Sequence, residues 1–337
     1  MKDMKSTKNC RMSKEKEKAG HHQNIMKSYN PIQHMQKFLT PQPLLLTDRF
    51  MKIVPVTIGR SATRKYIVED KSGLKAFLKI EPIENYSNVK KYFLMLEKLY
   101  STGVITPQPI EYGKCEEGAY ILSNFVGSNN NNLGEVLPHL TDEKRYLLGR
   151  KAGRLLKKIH QAPLLRNKNM RHHWNERFPK WAKDLAELYI KSPNKLDGYE
   201  YYLEILRETP NSLNQRSSCF LHFDYGSHNL LLQEEKLWAI DFGSIEAKDG
   251  DPYYDFRHIF THGSKYPYFS TGAINGYFEG HPPEDFFKST RFYLAWDIIK
   301  SSLRTNDTAM IESIAVLAKN CLLSYDNMKL DQPSWYF

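Results

Sequence analysis

The chain of 337 residues is predicted to be an α+β protein of two lobes, a small β-rich N-lobe and a larger, mostly helical C-lobe. Three observations predict this. Short apolar segments broken by small-residue turns fill roughly 50–80 and 110–125, helical apolar spacing dominates from 141 onward, and the length suits about two lobes around substantial cores. The expected boundaries are a basic tail at 1–45, an N-lobe at 46–126 and a C-lobe at 127–337.

The tail is rich in Lys, Ser and Met with little apolar periodicity, so it is expected to be disordered. A strand is predicted at 51–57, a small-residue loop at 59–64, a second strand at 65–69, a turn at 70–73 and a third strand at 74–80. In the loop, Gly59 and Ser61 let backbone N–H groups approach phosphate oxygens, and Lys79, ending the third strand, is placed to reach the same phosphates. Val89, Tyr92, Phe93, Leu96 and Leu99 recur at helical spacing, predicting a helix over 88–100 that ends near Gly103. After Pro107 and Pro109, strands are predicted at 110–113 and 119–125, followed by a polar loop at 127–132 that would join the lobes. Ser123, Asn124 and Phe125 on the connecting strand are candidates, by position, for holding an adenine through their backbone. A helix at 141–160 has a Thr N-cap, Asp142 and Glu143 in its first turn and Lys157-Lys158 near its end, as the helix dipole favours. Helical patterns fill 163–218, and two further helices are predicted at 289–304 and 307–324.

The formal charge of +10 raises the question of a nucleic-acid partner, but residues 1–50 hold ten Lys/Arg against four Asp/Glu, so most of the excess sits in the tail. No nucleic-acid partner is expected. Cys10, Cys115, Cys219 and Cys321 are far apart without a C-x-x-C pair, which suggests neither a zinc site nor a disulfide framework. No apolar run approaches a membrane span, and charge and His stand where a signal peptide needs an apolar segment, so a cytoplasmic location is expected.

The chemistry concentrates in two stretches. His222, Asp224 and Asn229 lie in Phe220-Leu221-His222-Phe223-Asp224-Tyr225-Gly226-Ser227-His228-Asn229, and Asp241 lies in Ala239-Ile240-Asp241-Phe242-Gly243. Between them Leu230-Leu231-Leu232, a turn at 233–236 and Leu237-Trp238-Ala239-Ile240 read as a hairpin that folds Asp241 back beside Asn229. Two oxygen ligands so placed suit Mg²⁺ against the phosphates of a nucleotide, while Asp224 at the loop tip faces an acceptor hydroxyl. His222 is read as a residue that packs and hydrogen-bonds this loop.

On His222-x-Asp224-x-x-x-x-Asn229, on Ile240-Asp241-Phe242-Gly243 and on Gly250-Asp251-Pro252-Tyr253-Tyr254-Asp255-Phe256, the chain resembles the aminoglycoside phosphotransferase family of small-molecule kinases, whose fold is similar to that of protein kinases. The resemblance spans about residues 50–325, and the C-terminal half, with Asp224 to Asn229 and Tyr277-Phe278-Glu279, is particularly similar to hygromycin B phosphotransferases. It implies a protein-kinase-like fold, ATP or GTP as co-substrate and Mg²⁺ as cofactor. Of the residues, it implies Asp224 as catalytic base with His222 in the same motif, Asn229 and Asp241 as metal ligands, Lys79 on the nucleotide phosphates, Ser61 in the nucleotide loop and Asp255 as a brace of the catalytic loop.

The chain departs from the family pattern in one respect. Relatives place a Glu on the helix after the lysine strand to fix that Lys, whereas here Lys90 and Lys91 occupy the first half of the helix, Glu84 comes early, and Glu97, late, is the favoured partner. Phe223, not Arg, precedes Asp224, which argues against control by a phosphorylated activation loop. Glu279, Glu284, Asp285, Asp297 and Asp307 are candidates to receive a polyamine-like acceptor, with Glu279 and Asp297 singled out. The expected activity is transfer of the γ-phosphate to a hydroxyl of an aminoglycoside-like or aminocyclitol-like molecule, a sugar or an amino alcohol. The alternatives are a catalytically inactive kinase-like structural or coat-associated protein and a protein kinase.

Overall fold

The protein is described by a computed structural model at residues 49–57, 63–127, 131–163, 174–208, 210, 213, 216–243 and 249–337. The tail at 1–45 and the loop with Gly59 and Ser61 therefore lie outside the described residues.

Five antiparallel strands form the N-terminal sheet: β1 (Phe50–Pro55), β2 (Arg64–Asp70), β3 (Lys75–Glu81), β4 (Pro109–Cys115) and β5 (Gly118–Asn124), in the order β1-β2-β3-β5-β4. The turn from β2 to β3 closes on Asp70, whose Oδ1 accepts from the N–H groups of Ser72 at 2.8 Å and Leu74 at 3.0 Å. Alternation in β3 buries Ala76, Leu78 and Ile80 on one face, in a small core with Phe50, Tyr66, Val68 and Leu122. Phe77 and Lys79 are thereby turned to the opposite face. Helix α1 (Tyr86–Ser101) covers the sheet through Val89 and Phe93 against Ala119 and Ile121.

The C-lobe opens with the short α2 (Leu133–Val136), then α3 (Asp142–Gln161), α4 (Trp174–Ile190) and α5 (Tyr199–Arg207). As expected from the sequence, Thr141 caps α3, its side chain accepting from the Lys144 N–H. The strand pair β6 (Cys219–Phe220) and β9 (Asp249–Gly250) brackets a hairpin of β7 (Leu230–Gln233) and β8 (Lys236–Ala239), and the chain ends in α6 (Arg257–Thr261), α7 (Pro267–Phe278), α8 (Asp285–Leu303) and α9 (Thr308–Ser324).

Two of these helices differ from the sequence expectation for packing reasons. Helix α8 begins one turn earlier than expected and is buried on nearly every side, so it lacks the one-sided apolar stripe that marks a surface helix. Helix α7 was not expected at all. Its Gly272 and Gly276 lie against the α3 backbone at Tyr146 and Arg150, while Gly149 and Gly153 of α3 lie against Phe269 and Ala273. A Cβ on Gly153 would stand 2.0 Å from the Ala273 carbonyl oxygen, so the two backbones touch where only glycine fits. Small residues make this contact, and small residues carry no periodic apolar signal. The main core gathers Trp174, Phe178, Tyr254 and Tyr293 with Met95, Leu96 and Leu99 of α1, so α1 packs against both lobes.

Candidate active site

The hairpin delivers the motif residues to one place. Glu234 and Glu235, both with positive φ (48° and 63°), make the two-residue turn, and at the open end the Ile240 N–H donates to the Asn229 carbonyl at 3.0 Å. Asp241 therefore stands beside Asn229. Its own φ of 54° is a left-handed conformation that a non-glycine residue adopts only where its surroundings hold it.

Asp224 is half exposed at the loop tip. The Asn229 Nδ2 donates to its Oδ2 and to its backbone carbonyl, both at 2.9 Å. On the other side, Nε2 of His258 stands 2.8 Å and Nε2 of His228 3.4 Å from Oδ1. Burial pushes the Asp224 carboxyl up, but the two neighbouring histidines outweigh it and hold the group well below the usual carboxylate range.

His222, paired with Asp224 in the sequence motif, is fully buried. Its Nε2 donates to the Ile240 carbonyl at 3.0 Å, and its Nδ1 accepts from the Asp224 N–H at 3.3 Å, which leaves neither nitrogen facing the cleft. Both nitrogens are thus engaged by the backbone of the loop and of the hairpin. Asp255 is also fully buried and accepts from the backbone N–H of His222 at 2.6 Å and of Phe223 at 2.8 Å, with His160 Nε2 at 3.1 Å. These bonds, with the Arg257 guanidinium on the Phe223 carbonyl, hold Phe223 at φ 71°.

From the N-lobe, the Lys79 ammonium reaches the Asp241 carboxylate, and Lys65 Nζ lies 3.6 Å from the other oxygen of Asp241. Lys65 was not expected. It sits directly opposite Lys79 in the β2–β3 ladder, so register alone puts two cations side by side. Burial disfavours the Lys79 ammonium, but Tyr92 and Asp241 raise it above its ordinary value. Burial likewise raises the Asp241 carboxyl, and Lys79 and Lys65 bring it below normal.

Three sequence expectations are corrected. Glu97 lies exposed on α1, and the α1 residue facing Lys79 is Tyr92, whose ring centroid is 5.9 Å from Nζ. The helical period puts Glu97 on the solvent side, five residues on from Tyr92. Ser123 is flanked in the sheet by Phe77 and Pro109, so the connecting segment starts later, at Phe125, whose N–H donates to the Lys75 carbonyl at 3.4 Å. Among the acidic candidates, Glu279 ends α7 and pairs with Lys157 at 3.0 Å, Asp285 pairs with Arg216, and Asp297 accepts from Arg257 Nε at 3.1 Å. Each is already neutralised by a basic partner.

The polar run at 127–132 also does more than link lobes. The Asn132 Nδ2 donates to the His228 carbonyl at 2.6 Å while its Oδ1 caps α2, and the Leu232 N–H donates to the Asn131 carbonyl at 2.8 Å. The Ala239 N–H donates to the Ile105 carbonyl at 2.9 Å, so both strands of the hairpin are tied to segments outside it.

Among the described residues no cluster of three His, Cys, Asp or Glu side chains is arranged to hold a metal, and no helix is long and apolar enough to cross a membrane. Asn229 and Asp241 still suit Mg²⁺. Asn229 spends its amide nitrogen on Asp224 and keeps its oxygen available, and Mg²⁺ is ordinarily bound by one or two protein oxygens with substrate phosphates and water completing the shell.

A family model described as a phosphotransferase enzyme family matches residues 52–284. No curated protein matches the sequence. Among solved structures, the chain is similar to the GDP complex of an aminoglycoside 2'-phosphotransferase-IIIa, at 13% identity and a TM-score of 0.62, covering 87% of this chain and 98% of that one. A macrolide 2'-phosphotransferase type I aligns at 13% identity and 0.59, over 80% and 91% of the two chains. A choline/ethanolamine kinase family protein from Mesorhizobium loti aligns at 14% identity and 0.58, over 90% and 98%. At these identities the likeness is one of fold: a kinase-like α+β architecture.

Proposed function

The chain belongs to the phosphotransferase enzyme family, and we propose that it moves the γ-phosphate of ATP or GTP to a hydroxyl of a small molecule. The observation that carries this reading is the pair Lys65 and Lys79. Like charges directly opposite in a sheet repel, and among the described residues Asp241 is the one carboxylate ion-paired with them, enough to offset one of the two charges. A nucleotide triphosphate supplies the missing negative charge, and the small-residue loop before β2, with Gly59 and Ser61, is the further candidate to cover it. The segment from Phe125 on would hold the base, and the division into an N-lobe at 46–126 and a C-lobe at 127–337 would put the nucleotide between them.

In this reading Asp224 accepts the hydroxyl proton as the acceptor oxygen bonds to Pγ and the Pγ–O bond to the nucleoside diphosphate breaks. Asn229 and His258 orient the carboxylate, and His222 and Asp255 fix the loop that carries it. Asn229 and Asp241 would hold Mg²⁺, which would neutralise the phosphate charge. The low-lying Asp224 carboxyl stays ionised and so remains ready for the proton throughout the neutral range.

The test is nucleoside diphosphate release with ATP and with GTP against a panel of aminoglycosides, sugars, amino alcohols and hydroxy acids. Acceptor-dependent release that requires Mg²⁺ and falls at least about 100-fold in Asp224→Asn is expected. Transfer that survives the substitution would sink the assignment of the base, and failure of the wild type to bind Mg²⁺–nucleotide would sink the kinase reading as a whole.

A further inference from the structure

Every acidic residue expected to receive an amine is committed elsewhere. Glu279 is on Lys157, Asp285 on Arg216, Asp297 on Arg257, Asp307 caps α9 through the Met310 N–H, and Glu284 lines a separate pocket with His281 and Phe287. What stands beside Asp224 instead is a set of donors. His258 and His228 flank its Oδ1, and His258 Nδ1 lies 3.9 Å from Asp297.

Lys300 belongs to this group. It projects from the last turn of α8, one turn beyond Asp297, and its Nζ rests 4.0 Å from the centroid of the Trp296 ring. Among the described residues it has no ion-pair partner, although it is half buried. Burial, added to the nearby Arg304, pushes its ammonium down to about 7, with Asp297 and Asp224 acting the other way.

We propose that the acceptor is a hydroxylated molecule carrying an oxyanion, a carboxylate or a phosphate, which Lys300 and His258 hold beside Asp224, and that it is not a polyamine. The inference rests on the phosphotransferase reading above and narrows its acceptor. Its chemistry is that of the same transfer: the acceptor hydroxyl oxygen bonds to Pγ, the bond to the nucleoside diphosphate breaks and the hydroxyl proton passes to Asp224. The oxyanion takes no part in bond making. It fixes the distance of the hydroxyl from the carboxylate and gives Lys300 the direct ion-pair partner it lacks among the described residues, whereas an amine in the same place meets an ammonium and two imidazoles.

The experiment has two arms. In the first, inorganic phosphate, acetate and spermidine are titrated into the full chain loaded with Mg²⁺–ADP, with binding read by calorimetry. Saturable binding of phosphate or acetate, weakened at least tenfold in Lys300→Gln and retained in Lys300→Arg, is expected. Spermidine binding without anion binding, anion binding that Lys300→Gln leaves unchanged, or no binding of any probe overturns the proposal. Phosphate against acetate distinguishes the two oxyanions. In the second arm, matched hydroxy acids, sugar phosphates and amino alcohols compete as acceptors, and preference for the amino alcohols overturns the proposal equally. Failure of Mg²⁺–ADP to bind strikes the phosphotransferase reading separately, and the anion titration is then read on the nucleotide-free chain.

Discussion

Tyr92 occupies the place where a carboxylate was expected to meet Lys79, and it answers a different need. With Asp241 already on Lys79, a second carboxylate would add charge, while the Tyr92 ring gives the ammonium an aromatic face. Tyr92→Leu removes that face and keeps an apolar side chain. The expected cost is about 1 kcal/mol of nucleotide binding, roughly fivefold in Kd, with the fold intact by circular dichroism. His262 gives a stability signal. Burial, with His258 and His228 adding to it, pushes its imidazole down to about 4 from 6.5. The unfolded chain therefore takes this proton first, so the contribution is present above pH 6.5 and is lost as pH falls toward 4. His262→Gln is expected to flatten the acid limb of unfolding midpoints measured in urea between those values.

The α3–α7 crossing is the element most sensitive to a single methyl group. In Gly153→Ala the new Cβ meets backbone, not a side chain that can swing aside, and the helices must separate. A loss of about 1–3 kcal/mol in denaturant unfolding is expected, and a neutral result would mean that the contact is looser than drawn. The same crossing shows which elements were legible in the sequence. Strands β2 and β3, helix α3 and the β7–β8 hairpin could be read because each advertises itself locally, by alternation, by caps or by a turn. Helix α7 could not, because Gly272, Ala273 and Gly276 are defined by what they touch. At the site the division is similar. His222, Asp224, Asn229 and Asp241 lie in two short stretches joined by one hairpin, so their meeting follows from local folding. Lys65 needs the β2–β3 register, His258 needs α6 to dock on the loop, and Lys300 needs the whole of α8 in place. Glu97, favoured over Glu84, fails as the Lys79 partner because the helical period turns it to solvent.

The molecule as a whole is expected to respond to nucleotide as one body. Helix α1 shares a core with the C-lobe, and Lys65 and Lys79 of one sheet end on Asp241 of the other lobe. Mg²⁺–nucleotide at 100 times its Kd should therefore stabilise the entire chain by about 2.7 kcal/mol, seen as one upward-shifted transition in calorimetry. Two transitions, with only the first moving, would show that the lobes melt apart. The hairpin that joins Asn229 to Asp241, the proposed metal ligands, is secured by main-chain bonds, from Ala239 to Ile105 and from Leu232 to Asn131. The groups proposed to meet the acceptor, His258 and Lys300, enter as side chains from helices further along. Point mutation rewrites side chains and leaves peptide groups as they were. On the proposed reading, substitutions at His258 and Lys300 in α6 and α8 would alter which acceptor is taken while leaving in place the backbone bonds that bring Asn229 and Asp241 together.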